Sequence, residues 1–297
     1  MAVMRSWFFV AGHIKEELEV ALKTNTDVIV MDLEDNVPPA LKETARRMVR
    51  ENLDCAKAGK AEIWVRVNDY TTGMTSADLD AVVLPGLDGI ILTKVRGKED
   101  VQRLALRLDE LEHDRGMENG TISICLLLET ALGIAHAYEA CDASSRVKAA
   151  IFGAVDFTKD MGVEQTPEAT EQAYARSVVG VACHAANIVA VDAPFLNYED
   201  MDAYRKNVND GKQLGYSGRM ILHTSMIDIS NEMYAPSSES IAWAKDIKEV
   251  FEREGIAKGK AAITHGGKLV DTPVYTKALN ILERQKEIEE KNNAKKK

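Results

Sequence analysis

Eight short apolar runs, each tipped by polar residues, succeed one another through the first three quarters of this chain. They fall at residues 6–10, 28–31, 62–68, 89–95, 122–128, 149–153, 187–193 and 218–222. Helical patterning fills most of the intervals, at 14–24, 40–57, 79–84, 100–114, 132–141, 166–186 and 198–214, with 71–77 read as a polar loop. Strands alternating with helices predict a parallel sheet, because parallel neighbours need a connection long enough to hold a helix. Eight such units in about 225 residues predict an α/β fold closed into a TIM (β/α)8 barrel. An open doubly wound sheet would carry a glycine-rich phosphate loop after its first strand, and the chain turns there through Ala11-Gly12-His13 instead.

Beyond the eighth run, 237–254 and 273–291 have helical character. Between them, 261–271 carries adjacent glycines flanked by polar groups and reads as a mobile loop or flap. The domain reading is therefore a catalytic barrel over 1–235 and a C-terminal helical lid and tail over 236–297.

A hydrophobic content of 45% supplies a sizeable core, while a formal charge of −10 argues against bulk nucleic-acid binding, which needs a basic face. No apolar stretch reaches the length of a membrane span and no N-terminal signal is visible, so a cytoplasmic protein without membrane contact is expected. Four cysteines show no CxxC spacing, and Cys125 and Cys183, in apolar runs, read as reduced core fillers.

The strand ends carry the chemistry. Val28-Ile29-Val30-Met31 runs into Asp32, Glu34 and Asp35 before two prolines, and such a cluster reads either as part of an active site or as an Asx turn and helix cap. Other strand ends present Arg66 and Asn68, Lys94, Glu129, Asp156, Asp192 and His223. In a barrel these ends share one face. Carboxylates gathered without enough cations imply a divalent metal, and oxygen ligands favour Mg2+ or Mn2+ over zinc. Glu129 and Asp156 each stand alone at a strand end and are the best ligand pair, with helix capping as the alternative for each. Arg66 suits a substrate carboxylate, or a salt bridge to Glu34 or Asp35, or both.

Several motifs, in order, resemble the citrate lyase beta-subunit-like branch of the HpcH/HpaI aldolase family. They are Arg5-Ser6-Trp7-Phe8-Phe9-Val10-Ala11-Gly12, Asp32-Leu33-Glu34-Asp35-Asn36-Val37 with Lys42-Glu43-Thr44-Ala45-Arg46, Val65-Arg66-Val67-Asn68, Leu128-Glu129-Thr130-Ala131, Phe152-Gly153-Ala154-Val155-Asp156 and Gly267-Lys268-Leu269-Val270-Asp271. The resemblance implies a TIM barrel with a C-terminal lid, in homotrimers or hexamers. It implies a Mg2+-dependent carbon–carbon (oxo-acid) lyase that cleaves a citryl, malyl or citramalyl thioester of coenzyme A or an acyl carrier protein. Glu129 and Asp156 would hold the metal and Arg66 the oxoacid carboxylate, with Glu34 or Asp35 aiding proton transfer or orienting Arg66. Arg5 and Lys42 would approach the phosphates of the thioester arm, and Val155, Asp156 and His223 would line its pocket. Gly266 stands where malyl-thioester relatives carry a lid Asp. The alternatives are a lyase acting on a free 2-oxo acid without coenzyme A, and a barrel subunit that binds without catalysing.

Overall fold

A computed structural model describes residues 3–57 and 61–296, and the side chains of all of these but 54–57 and 294–296. The chain forms two compact units, Met1–Asn231 and Glu232–Lys297. In the first unit, the eight apolar runs are eight strands: β1 (Ser6–Ala11), β2 (Val28–Asp32), β3 (Glu62–Val67), β4 (Gly89–Leu92), β5 (Ser123–Leu128), β6 (Val147–Phe152), β7 (Val189–Asp192) and β8 (Gly218–Ile221). They pair in sequence order, all parallel, and β8 returns to β1, so the barrel is closed. Helices follow the strands, among them Lys42–Lys57, Lys98–Asp114, Thr170–Ala185 and Met201–Gln213.

Alternation along each strand fills the barrel. Trp7, Phe9, Val28, Val30, Trp64, Ile91, Cys125, Leu127, Ala149, Ile151, Val189, Val191 and Met220 form one buried cluster. Every second residue of a strand points the same way, so these positions define the inward parity of each strand. Trp7 and Trp64 meet at 5.1 Å between ring centres. Their bulk is accommodated by Gly89, where a Cβ would lie 2.4 Å from the Trp64 ring. Cys125 and Cys183 are free and fully buried, as their apolar surroundings predict.

Some local expectations are corrected. The stretch 71–77 is not a plain loop. It holds a 3-10 turn, Tyr70–Thr72, and the start of a helix, Thr75–Val82. The Asp69 carboxylate receives the Thr71 N–H at 2.7 Å and pins the turn. Asp78, on the helix, is drawn inside because it accepts the Asn68 N–H at 2.8 Å. The single helix expected over 132–141 is two short ones, Ala131–Ala135 and Ala137–Cys141, separated at His136, whose Nδ1 lies 3.0 Å from the Arg96 carbonyl. A further helix, Ala154–Met161, follows β6 directly.

In the second unit, Ser238–Val250 is helical, and the Ser237 hydroxyl caps it by accepting the Ser240 N–H at 3.2 Å. The expected flap is an antiparallel hairpin, β9 (Ala262–His265) with β10 (Lys268–Asp271). Gly266 and Gly267 form its two-residue turn at φ of 54° and 74°, a conformation glycine adopts without steric cost. A long helix, Thr272–Lys296, completes the unit around Ala244, Ile247, Phe251, Val270 and Ala278. The side chains of the terminal lysines lie outside the described residues.

Candidate active site

Extending the inward parity by one step beyond the apolar cluster reaches the carboxyl ends of the strands. Asp32 continues the row of Val28 and Val30, Arg66 that of Trp64, and Glu129 that of Cys125 and Leu127. A charged layer therefore sits directly on the apolar core. All three are at least 95% buried.

Asp32 and Arg66 are partners across the β2–β3 ladder. Arg66 donates from Nε to Asp32 Oδ1 at 2.7 Å and from Nη2 to Oδ2 at 2.5 Å, a two-point pairing that fixes the guanidinium plane. The Phe9 ring lies 5.3 Å beneath it. Asp32 also accepts the Glu34 N–H at 2.8 Å and the Asn36 N–H at 3.2 Å. The Asx-turn reading of the acidic stretch thus belongs to Asp32. Burial opposes the charge on Arg66, and Asp32 outweighs it, with Glu34 and Glu129 behind, so the guanidinium holds its proton more tightly than usual.

Glu34 is wedged between two cations. Its Oε2 lies 3.2 Å from Arg66 Nη1 and accepts the Asp35 N–H at 2.9 Å, while its Oε1 pairs with Lys94 Nζ. Burial works against the Lys94 charge, but the Glu34 bond and charge, then Glu129 and Asp35, raise its proton affinity well above that of an ordinary lysine. Lys94 follows β4 in the left-handed region, at φ 50°. That conformation costs a residue with a Cβ about 1–2 kcal/mol. There its backbone N–H reaches Glu129 Oε1 at 3.0 Å.

Glu129 occupies the space that a side chain at Gly153 would need. A Cβ there would lie 2.5 Å from Glu129 Cβ and 2.7 Å from Oε2. Burial, then the Asp156 charge, then that of Glu34, push the Glu129 carboxyl up to about 8, against the weaker pull of Arg66 and Lys94. The capping alternative fails for both members of the pair. Thr130 caps Ala131–Ala135, its hydroxyl accepting the Gly133 N–H at 3.0 Å, and Gly153 is the N-cap of Ala154–Met161. Asp156 instead lies in the first turn of that helix, half-buried, with exposed Val155 beside it.

A buried carboxyl whose proton affinity is raised by a neighbouring carboxylate marks a place short of positive charge, which a divalent cation fits. Among the described residues, no group of three or more His, Cys, Asp or Glu is placed to hold an ion. Two carboxylates with water and substrate oxygens are what Mg2+ commonly accepts. The residues present therefore fit a hard divalent ion held by Glu129 and Asp156.

Other expected site residues lie elsewhere. Arg5 precedes β1, at the amino-terminal end of the barrel, opposite the charged layer. Its guanidinium pairs with Asp27 through Nε at 2.8 Å and Nη2 at 3.0 Å. It is a clamp on the barrel floor and cannot meet a ligand arm at the other end. Lys42 is buried and donates all three ammonium protons, to the Leu33 and Glu34 carbonyls at 2.7 and 2.8 Å and to Asn68 Oδ1 at 2.9 Å. Burial lowers its proton affinity, against Asp32 and Glu34. It braces the acidic loop from behind instead of facing a phosphate. Asp35 is exposed and offers Glu34 only its N–H, which separates two carboxylates that adjacency in sequence left equivalent. Asp192 has the outward parity, next after Val191, and a Cβ at Gly211 would strike its Oδ2, so it joins Arg176 in the helix layer. His223 follows β8 and caps a 3-10 turn by accepting the Ser225 N–H at 3.3 Å, while stacking on Tyr198 at 4.7 Å.

Sequence comparison fits this geometry. The family profile described as HpcH/HpaI aldolase/citrate lyase matches residues 5–224, which include every strand of the barrel. The chain belongs to this family. The citrate lyase subunit beta of Leuconostoc mesenteroides subsp. cremoris is 32% identical over 278 residues, covering 94% of this chain and 92% of that one. The mitochondrial citramalyl-CoA lyase of Homo sapiens is 27% identical over 299 residues, covering 97% and 87%. Among solved structures, CitE from Mycobacterium tuberculosis in complex with magnesium, acetoacetate and coenzyme A superposes with a TM-score of 0.75 at 26% identity, covering 95% of this chain and 97% of that one.

Proposed function

We propose that this family member is a Mg2+-dependent carbon–carbon lyase that cleaves a 3-hydroxyacyl thioester to a 2-oxoacid and a shorter acyl thioester. The observation that carries the reading is the Glu129–Asp156 pair, one carboxylate deeply buried and electrostatically coupled to the other, beside Arg66. Two named relatives, a citrate lyase beta subunit and a citramalyl-CoA lyase, act in this chemical class, and a related structure holds magnesium with coenzyme A.

Glu129 and Asp156 hold the ion, Mg2+ or its substitute Mn2+. Bound there, the ion would supply Lewis-acid polarisation of a substrate oxygen. Arg66 has N–H groups left over from Asp32 and Glu34, and these bind the oxoacid carboxylate. Glu34, engaged by two cations, orients Arg66 and does not serve as a free base. The buried positive charge of Arg66 also steadies the enolate formed when the carbon–carbon bond opens. Val155, in the first turn of the helix after β6, and His223, just beyond β8, line the path of the thioester arm on coenzyme A or a carrier protein. The enzyme is proposed to work as a homotrimer in the cytoplasm.

The test is a screen of citryl, malyl and citramalyl thioesters with Mg2+, following oxaloacetate, glyoxylate and pyruvate. Release of one oxoacid, abolished by chelation, is the expected result. Cleavage of a free 2-oxo acid with no response to coenzyme A would favour the alternative lyase. Metal binding without turnover of any substrate would favour a non-catalytic subunit.

A further inference from the structure

The site contains one residue whose backbone is held in an uncommon conformation, and that residue touches both Glu129 and Glu34. Lys94 has a left-handed φ of 50° although it is neither glycine nor asparagine. In that conformation its N–H points at Glu129 Oε1, 3.0 Å away. Its side chain runs to Glu34 Oε1, 60 residues earlier in the chain, and its Nζ lies 4.0 Å from Asp69 Oδ2. With the chain held on both sides, an extended φ here would require the peptide between Thr93 and Lys94 to flip, and the flip would turn the N–H away from Glu129. The two contacts therefore come from separate parts of the residue, one from the backbone angle and the other from the ammonium.

We propose that Lys94 is the positioning residue of this site, its left-handed backbone fixing Glu129 for the metal and its ammonium fixing Glu34, and through it Arg66, for the substrate carboxylate. The backbone contact occupies Oε1 of Glu129 and holds the carboxyl in one rotamer beside Gly153. The ammonium neutralises Glu34 on the side away from Arg66, so Glu34 stays between the two cations instead of collapsing onto either. Binding of the ion and alignment of the substrate thus depend on different features of one residue. This assignment rests on the lyase reading for its second half only, since the first is read by metal binding alone.

Three substitutions separate the features. Lys94→Gly keeps the N–H and tolerates the left-handed angle but loses the ammonium. Lys94→Val loses the ammonium and, being β-branched, is driven out of that angle. Lys94→Arg keeps a cation. Mg2+ affinity is measured on the substrate-free protein by calorimetry, and kcat and KM on the thioester that the wild type cleaves. Lys94→Gly should bind Mg2+ within about threefold of wild type while kcat falls by about 10–100-fold, the scale of losing a positioning partner. Lys94→Val should lose tenfold or more in Mg2+ affinity as well, and Lys94→Arg should recover most of kcat. Circular dichroism of each variant reports whether the barrel is folded.

Equal Mg2+ affinity in folded Lys94→Val and wild type would overturn the backbone role. Unchanged kcat in Lys94→Gly would overturn the ammonium role. A wild type that binds Mg2+ yet cleaves no thioester defeats the lyase reading and leaves the backbone role to be judged on the Mg2+ titrations. A wild type that takes up no Mg2+ ends both.

Discussion

Replacing Glu129 by Gln offers a direct measure of how much the site costs the fold. The Glu129 carboxyl rises from an ordinary value of 4.5 to about 8, mainly through burial and then through Asp156. The unfolded chain therefore loses this proton at a lower pH than the folded one. Below about pH 4.5 both states are protonated and the group contributes nothing. As pH rises from there to about 8 the wild type loses stability, and above about 8 the full penalty remains, because folding must then bury the ionised group. A rise of this size corresponds to about 5 kcal/mol as an upper bound, reduced in practice by relaxation around the charge. Gln keeps the shape and the oxygen that accepts the Lys94 N–H, but it cannot ionise. Thermal melts with a chelator present should show the variant gaining on the wild type between about pH 5 and about pH 9. For a barrel of this size, each kcal/mol shifts the midpoint by about 2–4 °C, so the gap should open by several degrees or more. Adding Mg2+ at the alkaline end should raise the wild-type midpoint and leave the variant where it was. Parallel pH profiles for the two proteins would refute the argument, since they would mean that Glu129 titrates as an exposed carboxyl does.

Gly153→Ala should place a methyl group where Glu129 now sits, lowering Mg2+ affinity at least tenfold and costing about 1–3 kcal/mol by overpacking, as read by calorimetry and denaturant melts. Asp32→Asn leaves Arg66 buried with Glu34 as its remaining named carboxylate partner and should destabilise the barrel by about 3–5 kcal/mol in urea unfolding. Asp27→Asn weakens the Arg5 clamp on the barrel floor and should lower stability without altering KM for the thioester, because that pair lies at the opposite end from the site. A raised KM there would restore Arg5 to the ligand arm.

The barrel was legible in the chain because each strand's parity is set by neighbours two residues away, and each helix's face by neighbours three and four away. The same local alternation identified Arg66 and Glu129 as strand-end charges above an apolar core. The hairpin at Gly266-Gly267 is equally written in its paired glycines and the short strands on either side, because two glycines between short strands close a tight turn as readily as they loosen a loop.

Where each charge finds its partner was not a local matter. Arg5 and Lys42 look like available cations in sequence, yet Asp27 and the acidic loop's own carbonyls consume them. Glu34 and Asp35 are adjacent, and only the loop's turn over Asp32 sends one inward and the other to solvent. In sequence Lys94 is one strand-end charge among several, because nothing in its residue type announces a left-handed backbone. Its partners Glu34 and Glu129 stand 60 and 35 residues away and meet it only when the barrel closes. Periodicity therefore determined which residues stand at the strand ends. The closed barrel decided which of them confront one another, because Coulombic and hydrogen-bond partners are chosen by distance in space, and the stagger of strands that sets this distance is a property of the whole sheet.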